Sequence, residues 1–196
     1  MNVRRFGFLS LLMLAAALSR VVPHPPNLAP MAAVALFGAA MFEKRWMAVV
    51  MPLAALFISD ILIQATYLLV RDTSWASWQP YWGFYPGQWM NYACLLVTIG
   101  LGFLLRDRRS LGMIAGITLT NAVIFFVLSN FVVWVQGGMD VYPRTYAGLM
   151  LCYEQAIPFF KYSLMGDALY VTLLFGSLAL AEARFPAIKR PVAAVA

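Results

Sequence analysis

Apolar runs long enough to cross a bilayer recur along nearly the whole 196-residue chain, and this repetition limits the fold more than any motif does. In lipid, each unpaired backbone N–H or C=O costs several kcal/mol, so such runs close their hydrogen bonds internally as helices. Composition agrees. Hydrophobic residues make up 63% of the chain and charged ones only 11%, with a mean hydropathy of +0.78, far from a soluble domain. The expectation is an all-α, polytopic membrane protein forming one integral membrane domain over residues 1–196.

Six apolar segments are expected, at about residues 6–22, 30–42, 46–70, 90–105, 111–136 and 158–182. The first follows a short basic stretch and ends near Ala15-Ala16-Ala17, which also resembles a cleavable signal peptide. Val21 and Val22 extend it, and another membrane segment follows, which favours its retention. Between the first two segments lies PHPPNLAP, four prolines in eight residues. Proline fixes φ and removes a donor, so His24-Pro25-Pro26 is not helix interior, while Pro30 suits a first turn. The second segment is short and carries Ala32, Ala33, Ala35, Gly38, Ala39 and Ala40, small residues that let a neighbouring helix approach closely.

The basic residues alternate in a consistent way. Ten (Arg4, Arg5, Lys44, Arg45, Arg106, Arg108, Arg109, Arg184, Lys189 and Arg190) fall on one side of the six segments, and four (Arg20, Arg71, Arg144 and Lys161) on the other. The positive-inside rule then predicts cytoplasmic N and C termini, and the family resemblance given below implies a bacterial inner membrane. The net charge of +6 reads as a topology signal beside anionic lipid rather than as a nucleic-acid footprint. Cys94 and Cys152 can make one disulfide at most.

The chemically rich connections all fall on the outer side. Residues 71–89 hold four of the six tryptophans (Trp75, Trp78, Trp82 and Trp89). Single tryptophans serve as interfacial anchors, but this many aromatics in one loop suit the mouth of a ligand cavity. A mixed loop is expected over residues 137–156, with a short helix from Ala147 onward. Ionisable residues inside spans are costly and mark functional sites. Asp60 and Asp167 qualify, with Arg20 and Lys161 as candidate partners, and structural ion pairing is the alternative role. Asn121 and Asn130 can bridge helices, and Asn130 shares a helix face with Trp134. A soft metal site from His24, Cys94 and Cys152 has no short zinc-motif spacing behind it.

Several stretches together carry a resemblance: PHPPNLAPMAAVALFGAAMF, Ser59-Asp60, SNFVVW from Ser129, YPRTYAGLMLCYEQAIPFF from Tyr142, and Met165-Gly166-Asp167 followed by LLFG. They resemble a widespread family of small six-span bacterial membrane proteins. That family in turn resembles the S components of energy-coupling-factor transporters, membrane subunits that bind vitamins from outside. The resemblance implies an S-component-like bundle, a vitamin-sized substrate and, as a partner, an energy-coupling transmembrane and ATPase module. Similarity to the cobalamin-specific group implies cobalamin as the sharpest substrate, with Cys94 as axial ligand of its cobalt. A small buried hydrophobe is the other role open to Cys94. The Trp-rich loop is longer than the family pattern.

No phosphate-binding loop, zinc-protease helix motif or nucleophile elbow occurs in the sequence. Three functions stay open: a substrate-binding transport protein, a small intramembrane enzyme using Asp60 and Asp167, and an accessory subunit. For the first, the expected cavity lies beneath the Trp-rich loop, with no permanently bound cofactor. Trp82, Trp89, Trp134, Tyr142, Tyr146 and Tyr153 would supply aromatic contact. Arg20, His24, Asn27, Asp60, Asn130, Arg144 and Asp167 would fix orientation.

Overall fold

A computed structural model of the protein describes residues 2–70, 83–85, 87–136 and 141–189. Among them there are helices and no strands. In chain order these are α1 (Val3–Leu18), α2 (Met31–Met41), α3 (Arg45–Val70), α4 (Gln88–Gly102), α5 (Leu111–Val135) and α6 (Tyr146–Arg184). Short 3₁₀ turns extend α1 over Ser19–Val21 and α4 over Phe103–Leu105. Four of the described helical stretches are long and apolar enough to cross a membrane: Arg45–Thr66, Gln88–Leu105, Leu111–Val135 and Tyr146–Arg184. The protein is therefore an all-α membrane protein with several spans.

The bundle is built around α2. Every residue of this helix from Ala32 to Met41 is buried, and it touches each of the other five helices. Its small side chains make that possible. A Cβ on Gly38 would collide with Pro52 of α3, and one on Gly102 of α4 would lie 2.6 Å from the Ala39 Cβ. Lipid tails are as apolar as leucine, so close van der Waals packing, not apolar burial, holds such a contact. Phe37 adds an edge-on ring contact to Phe175 of α6 at 5.2 Å. At roughly 1.5 Å per residue α2 is only about 17 Å long, too short to cross the ~30 Å hydrocarbon core by itself.

The sixth segment departs from expectation. Residues 146–156 are not loop: α6 runs without a break from Tyr146 through Pro158 to Arg184. Thr145 starts it, its Oγ1 accepting from the Gly148 N–H at 3.2 Å. Pro158 removes a single helical donor, and the turns on either side carry the helix past it, as they do at Pro52 in α3. At about 58 Å, α6 exceeds the ~40–45 Å of a whole bilayer.

The two ends of the bundle differ in chemistry. At one end, Asn2 donates to the Ala187 carbonyl at 2.9 Å, and Arg5 pairs with Glu182 and donates to the Ile188 carbonyl at 2.6 Å. Arg106 donates to the carbonyls of Ala39 and Glu43, each at 3.1 Å, and of Phe42. The start of α1, the end of α6 and the two connections 42–44 and 106–110 thus share one basic end. Arg20, the Pro-rich turn, Gly83–Tyr85 and the Tyr142–Thr145 turn lie at the opposite end.

Candidate functional site

Two polar assemblies occupy that opposite end. The first centres on Asp60 of α3, 6% exposed. Arg20 reaches it from the turn after α1: its Nη1 donates to Asp60 Oδ1 at 2.7 Å and to Ser59 Oγ at 2.5 Å. Oδ2 accepts from the Tyr92 hydroxyl at 3.0 Å and from Gln88 Nε2 at 3.3 Å. Gln88 also donates to the Gly83 carbonyl at 2.7 Å, and the Gly83 N–H donates to Gln64 Oε1. A buried carboxylate with a guanidinium and two neutral donors has both oxygens satisfied. The network ties α1, α3 and α4 together and grips the chain at Gly83. Beside it, burial raises the Tyr85 phenol above its usual pKa; Asp60 adds to this, while the hydrogen bond from Asn91 and the charge of Arg20 oppose it.

The second assembly is a cavity of about 440 Å³ enclosed mainly by α2, α5 and α6. Its construction starts at the Pro-rich turn. The Leu28 N–H donates to the Pro25 carbonyl at 3.1 Å, and Asn27 takes a left-handed φ of 66°. Proline followed by a left-handed residue is the type II turn pattern, which Asn tolerates better than most residues. This turn lays Leu28 and Ala29 directly on Gly166 of α6, where an added Cβ would sit 3.1 Å from the Ala29 nitrogen and 3.2 Å from the Leu28 Cα. Asp167, the next residue, borders the cavity, and so do Asn27, Asn91 and Asn130. Phe125, Phe126, Phe159 and Phe160 give apolar walls, and Tyr142, Ser129, Gln155 and Ser163 add polar positions.

Asp167 is 6% exposed and has no hydrogen-bond or ion-pair partner among the described residues. Lys161 is not that partner: its ammonium lies over the Tyr162 ring, 4.9 Å from the centroid. Asp167 also borders a larger cleft of about 1080 Å³ between α5 and α6, which extends to Arg109, Glu182 and Lys189 at the basic end.

The residues singled out in the sequence thus separate into groups. Arg20 and Asp60 meet as an ion pair, and Asn27, Asn130, Tyr142 and Asp167 share the cavity. Trp134 does not line it; its indole N–H donates to the Pro143 carbonyl at 3.0 Å. That turn folds back so tightly that a Cβ on Gly148 would strike Pro143. Tyr153 bridges α6 to α5 through its hydroxyl and the Val127 carbonyl at 2.9 Å. His24, Trp89, Arg144 and Tyr146 are exposed, and Trp82 lies outside the described residues.

Cys94 is buried in α4 and lines neither cavity. His24, Cys94 and Cys152 do not converge: His24 contacts the Val22 carbonyl at 2.7 Å, and Cys152 the Asn130 carbonyl at 3.4 Å. No cluster of three His, Cys, Asp or Glu that could hold a metal occurs among the described residues. The roles of Gln64, Gln88, Asn91 and Tyr92 were missed. Their signal was helical spacing, with Gln64 four residues after Asp60 on α3 and Tyr92 four after Gln88 on α4.

A family of unknown function (DUF6580) matches the chain over residues 1–188. No curated protein and no solved structure matches it.

Proposed function

We propose that this chain, which belongs to the DUF6580 family of unknown function, is a substrate-binding membrane transport protein that takes up a small molecule from the outer face. The observation that carries this reading is the cavity bordered by Asn27, Asn130, Tyr142 and Asp167 at the end opposite the basic connections. An aromatic-walled pocket with a few converging amides is the usual makeup of a ligand site, and 440 Å³ falls within the ~300–1,000 Å³ typical of one.

In this reading the bundle has six membrane segments, α1 and α2 included, and sits in the bacterial inner membrane with both termini in the cytoplasm. The basic connections gathered at one end support that orientation. The likeness to S components supports a vitamin-sized substrate and an energy-coupling module as partner. Cobalamin, the sharpest guess from the likeness, fits less readily than a smaller vitamin, because a corrin with its nucleotide loop is larger than the 440 Å³ cavity and Cys94 does not border it.

The test is mass spectrometry of small molecules retained by the protein purified in mild detergent. An enriched compound that is lost in Asn130→Leu supports the reading. No retained compound, together with no uptake phenotype on deletion, counts against it. A purified protein that shifts the cobalamin spectrum, with the shift abolished in Cys94→Ser, would restore the corrinoid. Impermeant labelling of a cysteine at position 77, in a Cys-free background, should succeed on intact cells.

A further inference from the structure

The one charged side chain that borders the 440 Å³ cavity, among the described residues, is Asp167. It is buried to 6% exposure and carries no partner among the described residues, whereas Asp60 at the same burial is fully engaged. A lone carboxylate removed from water costs several kcal/mol unless a cation meets it. Among the described residues, the basic side chains of this end do not: Arg20 is committed to Asp60, Lys161 to the Tyr162 ring, and Arg144 is exposed.

The entry to α2 lies beside the carboxylate. Leu28 and Ala29 rest on Gly166, which brings the start of α2 next to Asp167. The first-turn amides of a helix lack internal partners and form its partially positive pole. Phe125, Phe126, Phe159 and Phe160 line the same cavity, and aromatic ring faces attract cations. A negative centre, aromatic faces and peripheral amides together match one class of ligand.

Resting on the binding-protein reading above, we infer that the cavity recognises a small organic cation, a protonated amine or a charged heteroaromatic ring on a flat apolar body. Its positive group pairs with Asp167, its body lies among the phenylalanines, and Asn27, Asn91 and Asn130 bond its polar substituents.

The test uses the full-length protein in lipid nanodiscs and three matched probes, phenethylammonium, phenethyl alcohol and phenylacetate, with sodium chloride as the ionic control. Phenethylammonium should raise the melting temperature most, and Asp167→Asn should weaken its binding roughly tenfold or more. Asp167→Glu, which keeps the charge, should retain the order of the probes. Equal stabilisation by the alcohol or the anion would overturn the cation inference while the binding reading stands. A shift with sodium alone that is lost in Asp167→Asn would assign the carboxylate to an inorganic cation and overturn it too. No shift with any probe, combined with no retained small molecule, would remove both.

Discussion

Asp60 and Asp167 are both 6% exposed, both sit in long apolar helices, and both lie beside a connection that begins with the residues around Arg20. Asp60 has a guanidinium and two neutral donors; Asp167 has none of these among the described residues. Burial alone therefore does not reveal what an acid in a membrane helix does. A satisfied carboxylate fixes three helices relative to one another. An unsatisfied one beside a cavity fixes none, and in the reading proposed above it meets a ligand.

The sharpest way to break the contrast is to give Asp60 the condition of Asp167. Arg20→Met leaves a buried charge uncompensated and should cost about 3–5 kcal/mol, read as a large fall in thermal midpoint in detergent. The double variant Arg20→Met with Asp60→Leu should recover most of that loss, since an apolar pair of similar volume replaces an ion pair at little cost. Removing a single neutral donor tests the same network more gently. Tyr92→Phe deletes one hydrogen bond to a charged group and should cost about 1.5–3 kcal/mol, with α4 loosening against α3 in hydrogen exchange.

On the other side of the contrast, Gly166→Ala places a methyl 3.1 Å from the Ala29 nitrogen and forces the Pro-rich turn away from Asp167. A cost of about 1–2 kcal/mol is expected, from overpacking against backbone. Ligand retention in mass spectrometry should fall further than the thermal midpoint does. The smallest loss of stability is expected for Asp167→Asn, which should be neutral or stabilising in the ligand-free protein, because no native partner is lost and an unpaired buried charge is removed. A loss as large as that of Arg20→Met would place Asp167 among the fold's locks.

Much of this arrangement was legible in the sequence, and the parts that were not have identifiable causes. Arg20 and Asp60 could be paired because charged groups within spans are rare and need partners. The alanines of α2 marked a helix that a neighbour can approach closely, but not that it would be buried on every side. The start of α6 was misplaced because Tyr142-Pro143-Arg144-Thr145 and Pro158 both read as punctuation, yet only the first ends a loop. Thr145 caps the helix, and Pro158 is absorbed within it. The identity of the cavity walls was hidden for a different reason. Phe126, Ser129, Gln155 and Ser163 have ordinary helical spacing, and only the crossing of α5 with α6 brings them together.

The burial of α2 has a consequence for how the protein is made. This helix keeps no surface for lipid, and at 11 residues it leaves polar chain ends within reach of the hydrocarbon. It is poorly suited to leave the translocation machinery by itself. The Glu43-Lys44 connection is short enough for α2 to enter as a hairpin with α3, with Gly38 already against Pro52. The places on its other faces would then be filled as α4, α5 and α6 emerge, so the centre of the bundle is reached early in synthesis but completed only when the last helix has been added.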